Sequence, residues 1–413
     1  MRVLAGKAAE KRVRELAARA SRLDAVEPQV RRIVADVRRN RDHALLKYAR
    51  KWDGLQPRQP LRVEAAEIRA AWKAASAELR SALEQAAANI RRFCVWQKPS
   101  EWMRENDGVS LGQLVLPLDS VGCYVPGGRY PLPSTLLMTA IPAQVAGVRE
   151  IRVVSPKPRP ETLAAAAMLG VTEFYRVGGA HAVAALAYGT ESIPRVDKIV
   201  GPGNLYVTAA KKLVAFDCSI DFLAGPTEVV IVADGGEAAF IASDLVAQAE
   251  HDPETLPVFI SSSRTFAEKV AAWAKQAAKE NSIARQSLAS NGVALVSSSH
   301  AQALEWANQI APEHITVARE DVSSVRCAGS VFVGDYSPQA VGDYASGPNH
   351  VLPTAGAARY RGGLSVLDFL KLITVQELSP AALRRIAPVV TRLAEAEGLE
   401  AHAESVRVRC AHA

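Results

Sequence analysis

Three short stretches of this 413-residue chain combine residue types that bind metals or move protons. In Gln248-Ala-Glu-His251 an amide and an imidazole stand three residues apart, at the end of a predicted helix that starts after Gly236. Side chains at that spacing share a helix face and can hold one metal ion between them, while Glu250 points elsewhere. In Pro312-Glu313-His314 an acid and a base are adjacent, at the mouth of the apolar run Ile315-Thr-Val. A carboxylate beside an imidazole suits two successive proton transfers, because free imidazole titrates at about pH 6.5. The third stretch is the loop Gly342-Asp343-Tyr344-Ala-Ser-Gly-Pro-Asn349-His350-Val-Leu-Pro-Thr354, rich in small and polar residues after a predicted strand, the usual character of a binding element. A fourth pair, Glu397 and His402, lies five residues apart near the C-terminus. Taken singly, the three stretches also read as an exposed polar helix end, a turn with ordinary surface charges and a structural Asx-rich turn. Together they describe a possible His/Asp/Gln metal site beside a Glu-His pair.

These residues need elements to position them. Residues 1 to about 100 carry apolar residues at three- and four-residue intervals and read as helices. From about residue 110, short apolar runs alternate with helical patterns: SVGCYV, EIRVVSP, EFYRVGG and DKIVGPG, then EVVIVADG, LPVFISSS, GVALVSS and GSVFVGD. Strands alternating with helices imply parallel sheets with helices on both faces, here as two α/β units in series. Ligands in such folds bind beyond the carboxyl ends of strands, and most of the motifs are expected there. Glycine turns follow several of the runs: Val125-Pro-Gly-Gly128, Gly178-Gly179, Gly201-Pro-Gly203-Asn204 and Ala224-Gly-Pro-Thr227. They let backbone approach a ligand closely. No GxGxxG, GxxxxGK[ST] or HExxH motif accompanies them, so the motifs alone claim no dinucleotide. The segment from about Ser379 reads as helical.

Composition narrows the class. Hydrophobic residues are 49% and charged residues 22%, which excludes a disordered or fibrous chain. At roughly 150 residues per domain, the length implies two or three domains. The five cysteines are scattered without a CxxC pair, which argues against a disulfide framework or a thiolate zinc site and fits the cytoplasm. A net charge of +6 is a mild excess for this length; Arg31, Arg32, Arg38, Arg39 and Arg41 read as a solvated helix face, with no aromatic interleaving for nucleic acid. The uncharged stretch from Tyr130 to Val148 is broken by Pro131, Pro133 and Pro142, so it reads as loop, buried helix and loop rather than a membrane span. The N-terminus carries charges throughout and lacks the apolar run of a signal peptide.

In order along nearly the whole chain, the blocks YVPGG, GTESIPRVDKIVGPGN, AGPTEV, QAEH, PEH and GDYASGPNHVLPT resemble the histidinol dehydrogenase family. That resemblance implies an α/β fold of two incomplete Rossmann-like parallel-sheet domains with helical N- and C-terminal extensions. It divides the chain into an N-terminal helical extension (1–24), a discontinuous first α/β domain (25–119 and 229–370), a second α/β domain (120–228) and a C-terminal helical dimer arm (371–413). It implies one zinc ion held by Gln248, His251, Asp343 and His402, and oxidation of L-histidinol to L-histidine with two NAD⁺. His314 would take the alcohol proton and Glu313 would activate water. Ser134, Thr227, His350 and Glu397, together with His314 and the zinc ligands, would face the substrate. Tyr124, His181 and Asn204 would face NAD⁺. It further implies a homodimer in which His402 and Glu397 serve the partner's site.

Two positions depart from the family pattern. Thr227 stands where serine is usual, and adds a methyl group to the pocket. His181 stands where glutamine commonly contacts NAD⁺, and only one imidazole tautomer suits each hydrogen-bonding role. A related zinc- and NAD-dependent dehydrogenase of another polar alcohol, such as a sulfonated diol, is the nearest alternative. His350 and Glu397 suit a cationic imidazole better. A basic nucleic-acid-binding protein using the N-terminal arginines is the alternative from another class.

Overall fold

The computed structural model of the chain describes residues 1–20, 23–127 and 130–412; Gly128 of the first glycine turn lies outside them. Fourteen strands are described: β1 (Arg2–Ala5), β2 (Trp102–Asn106), β3 (Val109–Pro117), β4 (Ser120–Tyr124), β5 (Glu150–Val154), β6 (Glu173–Tyr175), β7 (Lys198–Val200), β8 (Ser219–Ile220), β9 (Glu228–Val232), β10 (Leu256–Ser261), β11 (Val293–Val296), β12 (His314–Val317), β13 (Ser330–Val333) and β14 (Leu370–Leu378). A parallel six-stranded sheet has the order β1-β11-β10-β9-β12-β13, and a parallel five-stranded sheet the order β6-β5-β4-β7-β8. Every residue of β9 and β10 is buried, as a strand covered by helices on both faces requires.

The first hundred residues pack differently from the division expected. Residues 1–24 are not a purely helical extension: β1 is an edge strand of the six-stranded sheet, and Ala9, Val13 and Leu16 of the helix Gly6–Ala17 join that sheet's core. Residues 25–97 pack mainly on the five-stranded sheet, and the helix Ala77–Gln97 also meets part of residues 229–370: Asn89 Nδ2 donates to the Ala345 carbonyl at 2.9 Å, and Ile90 and Cys94 share a core with Val351, Leu364, Val366 and Phe369. The helix Glu27–Tyr48 shares a core with the helices Gly179–Tyr188 and Leu205–Val214, and Ala77–Gln97 shares one with Pro133–Ala146. A four-residue strand is too short to show a period of two, and an amphipathic stripe does not name the surface it will cover.

An antiparallel sheet, β14-β3-β2, forms a third unit before the C-terminal helices Pro380–Ala396 and Glu400–His412. The sequence reading had no strand at β2, β3 or β14. Exposed apolar residues stand on both faces, Leu111 and Leu372 on one and Leu114 and Ile373 on the other, so neither face shows a clean polar alternation. The uncharged stretch near residue 140 is the buried helix Pro133–Ala146, and no described helix is long and apolar enough to cross a membrane.

Each parallel sheet reverses its winding once. In the larger sheet the chain winds from β9 through β10 to β11, then crosses back to β12. In the smaller one it winds from β4 through β5 to β6, then crosses back to β7. The gaps β9/β12 and β4/β7 are therefore topological switch points.

Candidate active site

Glu313 and His314 sit where β12 begins, beside Glu228, the first residue of β9. One residue's backbone positions both side chains. The Glu228 N–H donates to Glu313 Oε2 at 3.0 Å, and the Glu228 carbonyl lies 3.1 Å from His314 Nδ1. A carbonyl only accepts, so Nδ1 carries the proton. Nε2 then faces the Asp343 carboxylate, 3.7 Å away. Glu313 and His314 are both buried. Burial pushes the Glu313 carboxyl up to about 8, against the pull of His314 and the Glu228 N–H. Burial alone would lower His314, but Glu313 and Asp343 outweigh it and raise the imidazole to about 9. Acid and base thus both exchange protons near neutrality, which fits general acid–base work.

Asp343 is carried on the short helix Gln339–Tyr344, which returns after β13. Its carboxylate accepts a hydrogen bond from Gln248 Nε2 at 3.1 Å. Gln248 is at the end of the helix Ala238–Ala249, buried, and its Oε1 has no partner. An orphaned buried carbonyl oxygen beside a carboxylate fits a cation ligand set. Burial disfavours the Asp343 carboxylate, yet His314 beside it holds its carboxyl below the usual range. The helix stops at Ala249 and Glu250 caps it; His251 follows in a turn, exposed, with its N–H donating to the Gln248 carbonyl at 3.3 Å. His350 Nδ1 lies 2.6 Å from the Asp343 carbonyl, leaving Nε2 to face Thr135 Oγ1 at 3.4 Å. Burial holds His350 below its ordinary pKa, so this imidazole is neutral. His314, Asp343 and His350 line one cavity of about 390 Å³.

A second cavity of about 450 Å³ opens at the carboxyl ends of β4, β6 and β7, against the β4/β7 switch point, and Tyr124, His181, Asn204 and Trp52 help to line it. Side chains already hold some of the N–H groups at its helix N-termini. Asn204 Oδ1 accepts from the Tyr206 and Val207 N–H groups. Tyr124 OH accepts from the Gly179 N–H, and Asp53 accepts from that of Gly178. His181 Nε2 is 2.7 Å from Asp53 Oδ2, which assigns the proton to Nε2; the buried Nδ1 has no partner.

The expectation that the motifs lie beyond strand carboxyl ends holds only for the smaller sheet. The helices after β9 and β13 run back along the sheet and return Gln248 and Asp343 to the amino edge, where Glu313 and His314 also stand. Among the described residues, no three His, Cys, Asp or Glu side chains gather at metal-binding distance, so one chain does not by itself assemble His251, Asp343 and His402. Glu397 and His402 lie exposed on the C-terminal helices.

The histidinol dehydrogenase family model matches residues 16–410. The chain belongs to the histidinol dehydrogenase family. It is accordingly an oxidoreductase. It is 46% identical to the histidinol dehydrogenase of Methanothermobacter thermautotrophicus, covering 97% of each chain, and 46% identical to that of Gluconobacter oxydans, covering 95% of each. Its fold is similar to the crystal structure of histidinol dehydrogenase from Elizabethkingia anophelis, with a TM-score of 0.93 and 35% identity over 99% of this chain and 98% of that one.

Within this histidinol dehydrogenase fold, Ser134 is buried in the first turn of the helix Pro133–Ala146, beside Thr135. Thr227 is partly buried and directly precedes Glu228. Sequence reasoning missed Glu228, Asp53 and Thr135 as residues of the site. Glu228 was visible only as the last letter of the AGPTE block. Nothing around Asp53 signals that it meets His181.

Proposed function

We propose that the chain is a zinc- and NAD-dependent histidinol dehydrogenase. It would oxidise L-histidinol through L-histidinaldehyde to L-histidine with two NAD⁺, the final step of histidine biosynthesis. The observation that carries this reading is the buried Glu313–His314 pair, fixed by Glu228 and set beside the Gln248–Asp343 contact with its orphaned amide oxygen. Gln248, His251 and Asp343, with His402, are the ligands for a zinc ion. Zinc would supply a positive centre on which the substrate's amino and imidazole nitrogens are oriented. NAD⁺ would supply the hydride acceptor, seated against Tyr124, His181 and Asn204.

The chain's own groups then carry the protons. His314 Nε2, the nitrogen left to the substrate because Nδ1 donates to Glu228, takes the alcohol proton in its neutral form, whose share grows as pH rises toward about 9. Glu313 takes a proton from the water that adds to the aldehyde, and its raised pKa lets it hold that proton. His314 acts again on the gem-diol. His350, neutral and fixed by Asp343, and Glu397 bind the substrate's polar end, with Ser134 and Thr227 lining the pocket. A buried site keeps the aldehyde from free amines.

The chain works as a homodimer in this reading, with Glu397 and His402 completing the partner's site. The support is twofold. Among the described residues, no three His, Cys, Asp or Glu side chains gather at metal-binding distance within one chain, so His402 does not complete a cluster with His251 and Asp343 there. The C-terminal arm and third sheet also expose Val389 (58%), Leu393 (60%) and Leu372 (54%), apolar surface that a second copy would cover.

The test is NADH formed per histidine produced by zinc-loaded protein with L-histidinol. A ratio of two is expected. No NADH from an intact, zinc-bound dimer would overturn the substrate and direct attention to other polar alcohols, with Thr227 the first residue to exchange.

A further inference from the structure

We propose that Arg19 is a positioning residue for the Glu313–His314 pair, acting through Glu228. The inference rests on the reading of that pair as the groups that move protons. Among the described residues, Glu228 is the only one whose backbone is bonded to both side chains, through its N–H at 3.0 Å and its carbonyl at 3.1 Å. Its carboxylate points away from them and is held on both oxygens. Oε1 accepts from Arg19 Nε at 2.6 Å and from the Ala355 N–H at 2.9 Å, and Oε2 accepts from Arg19 Nη2. A bidentate guanidinium fixes the plane of a carboxylate as well as its position.

The remaining donors of Arg19 reach the chain that leads into the pair. Nη1 donates to the carbonyls of Leu16 at 2.7 Å and Ile310 at 2.6 Å, and Nη2 donates to that of Ala311 at 3.3 Å. Arg19 therefore makes five hydrogen bonds, matching the five N–H groups of a guanidinium. Ala311 has φ +50°, a left-handed backbone that a non-glycine residue adopts at a cost. That turn ends the helix His300–Ile310 and aims Pro312, Glu313 and His314 into β12. One side chain, from the end of the first helix, thus ties together both segments that set the geometry of acid and base, and through Ala355 the chain just beyond His350. The pair is almost dry, with side-chain exposures of 15% for Arg19 and 5% for Glu228. A buried ion pair is weak evidence for stability in itself, since apolar packing does as well. Fixing a unique geometry next to reacting groups is what it supplies here.

The test is Arg19→Lys in the zinc-loaded dimer, with histidinol oxidation and histidinaldehyde oxidation measured separately. Lysine keeps the charge but presents three donors from one point, so it cannot hold both carboxylate oxygens and both upstream carbonyls. We expect kcat of both half-reactions to fall about 10- to 100-fold, the loss typical of a misplacement on the order of 1 Å. KM should stay close to its wild-type value, because Arg19 lies outside the cavity that holds His314 and His350. The isotope effect with carbon-deuterated histidinol should rise as hydride transfer becomes limiting. Glu228→Gln, whose amide oxygen can still accept from Arg19 Nε and the Ala355 N–H while its NH2 gives up the bond from Nη2, is the second variant and should lose less. The Nδ1 proton resonance of His314, shielded by its bond to the Glu228 carbonyl, should be seen in the wild type and exchange-broadened in Arg19→Lys. Full kcat in the folded variants, or a lower Tm with kcat and the Nδ1 proton unchanged, would overturn the proposal. A wild type that leaves histidinol untouched sinks the proposed reaction instead, and the Nδ1 proton then decides Arg19 alone.

Discussion

Replacing Glu313 by glutamine separates the two chemical roles assigned to the pair. Glutamine is nearly isosteric, and its amide oxygen can still accept the Glu228 N–H, now 3.0 Å from Glu313 Oε2. The bond worth about 0.5–1.5 kcal/mol is therefore kept, and the fold should survive. What disappears is a base able to hold a proton near neutral pH. A positioned general base contributes about 10²- to 10⁴-fold, or roughly 2.7–5.5 kcal/mol of barrier at about 1.36 kcal/mol per decade. That loss should fall on histidinaldehyde oxidation, which needs an activated water, and largely spare the first hydride transfer. A second effect has a fixed sign. Glu313 is the largest of the influences that raise His314, so its removal lowers the imidazole's pKa, and the first step should reach its plateau at lower pH. Stopped-flow NADH traces with histidinol and with histidinaldehyde, each across pH, measure both. Equal loss in the two half-reactions would refute the division of labour.

Four further outcomes are expected. His314→Asn should damage both hydride steps together; activity retained in either one, followed by NADH formation, would remove it as the shared base. His402→Ala should lower zinc content measured by atomic absorption, and mixing it with Glu313→Gln protein should restore about a quarter of wild-type activity by random pairing of subunits. No restoration would mean that each chain completes its own site. Gly201→Ala should lower Tm by calorimetry, because the residue has φ +111° and an added Cβ would lie 2.2 Å from the Tyr124 carbonyl oxygen; strain of this kind costs about 1–3 kcal/mol. An unchanged Tm would contradict the close approach. His300 is bracketed by Asp234 at 2.7 Å and Asp321 at 2.9 Å. Partial burial works against its charge, but the two carboxylates outweigh it and raise its pKa. Its contribution to stability is then fully present below the pKa of the unfolded imidazole and is lost as pH rises through the raised folded value. Urea unfolding from pH 5 to 9 should show that decline in the wild type and a flatter profile in His300→Gln.

Much of the site was legible because its chemistry is local in sequence. Glu313 and His314 are adjacent, and Asp343 and His350 share one loop, so any fold that builds β12 and β13 keeps each group together. The β-α alternation was equally plain where strands are buried on both faces: EVVIV and LPVFIS are apolar runs because no residue of β9 or β10 meets water. The pair Gln248 and His251 looked helical by spacing, yet the helix ends between them. A C-cap is decided by how the chain must turn into Asp252 and Pro253, which periodicity does not weigh.

Residue type and order by themselves determined the fold class, the family, and which side chains are chemically able to act. They did so because burial patterns and short motifs survive in one dimension. Only tertiary structure decided that β1 closes an edge of the six-stranded sheet, that residues 27–97 cover the other sheet, and that Gln248 and Asp343 meet at the amino edge beside β12. It alone revealed Glu228 and Arg19, which lie 209 residues apart and reach the proton-moving pair through backbone groups. Backbone N–H and C=O groups are the same in every residue, so sequence carries no mark of which ones will hold a catalytic side chain.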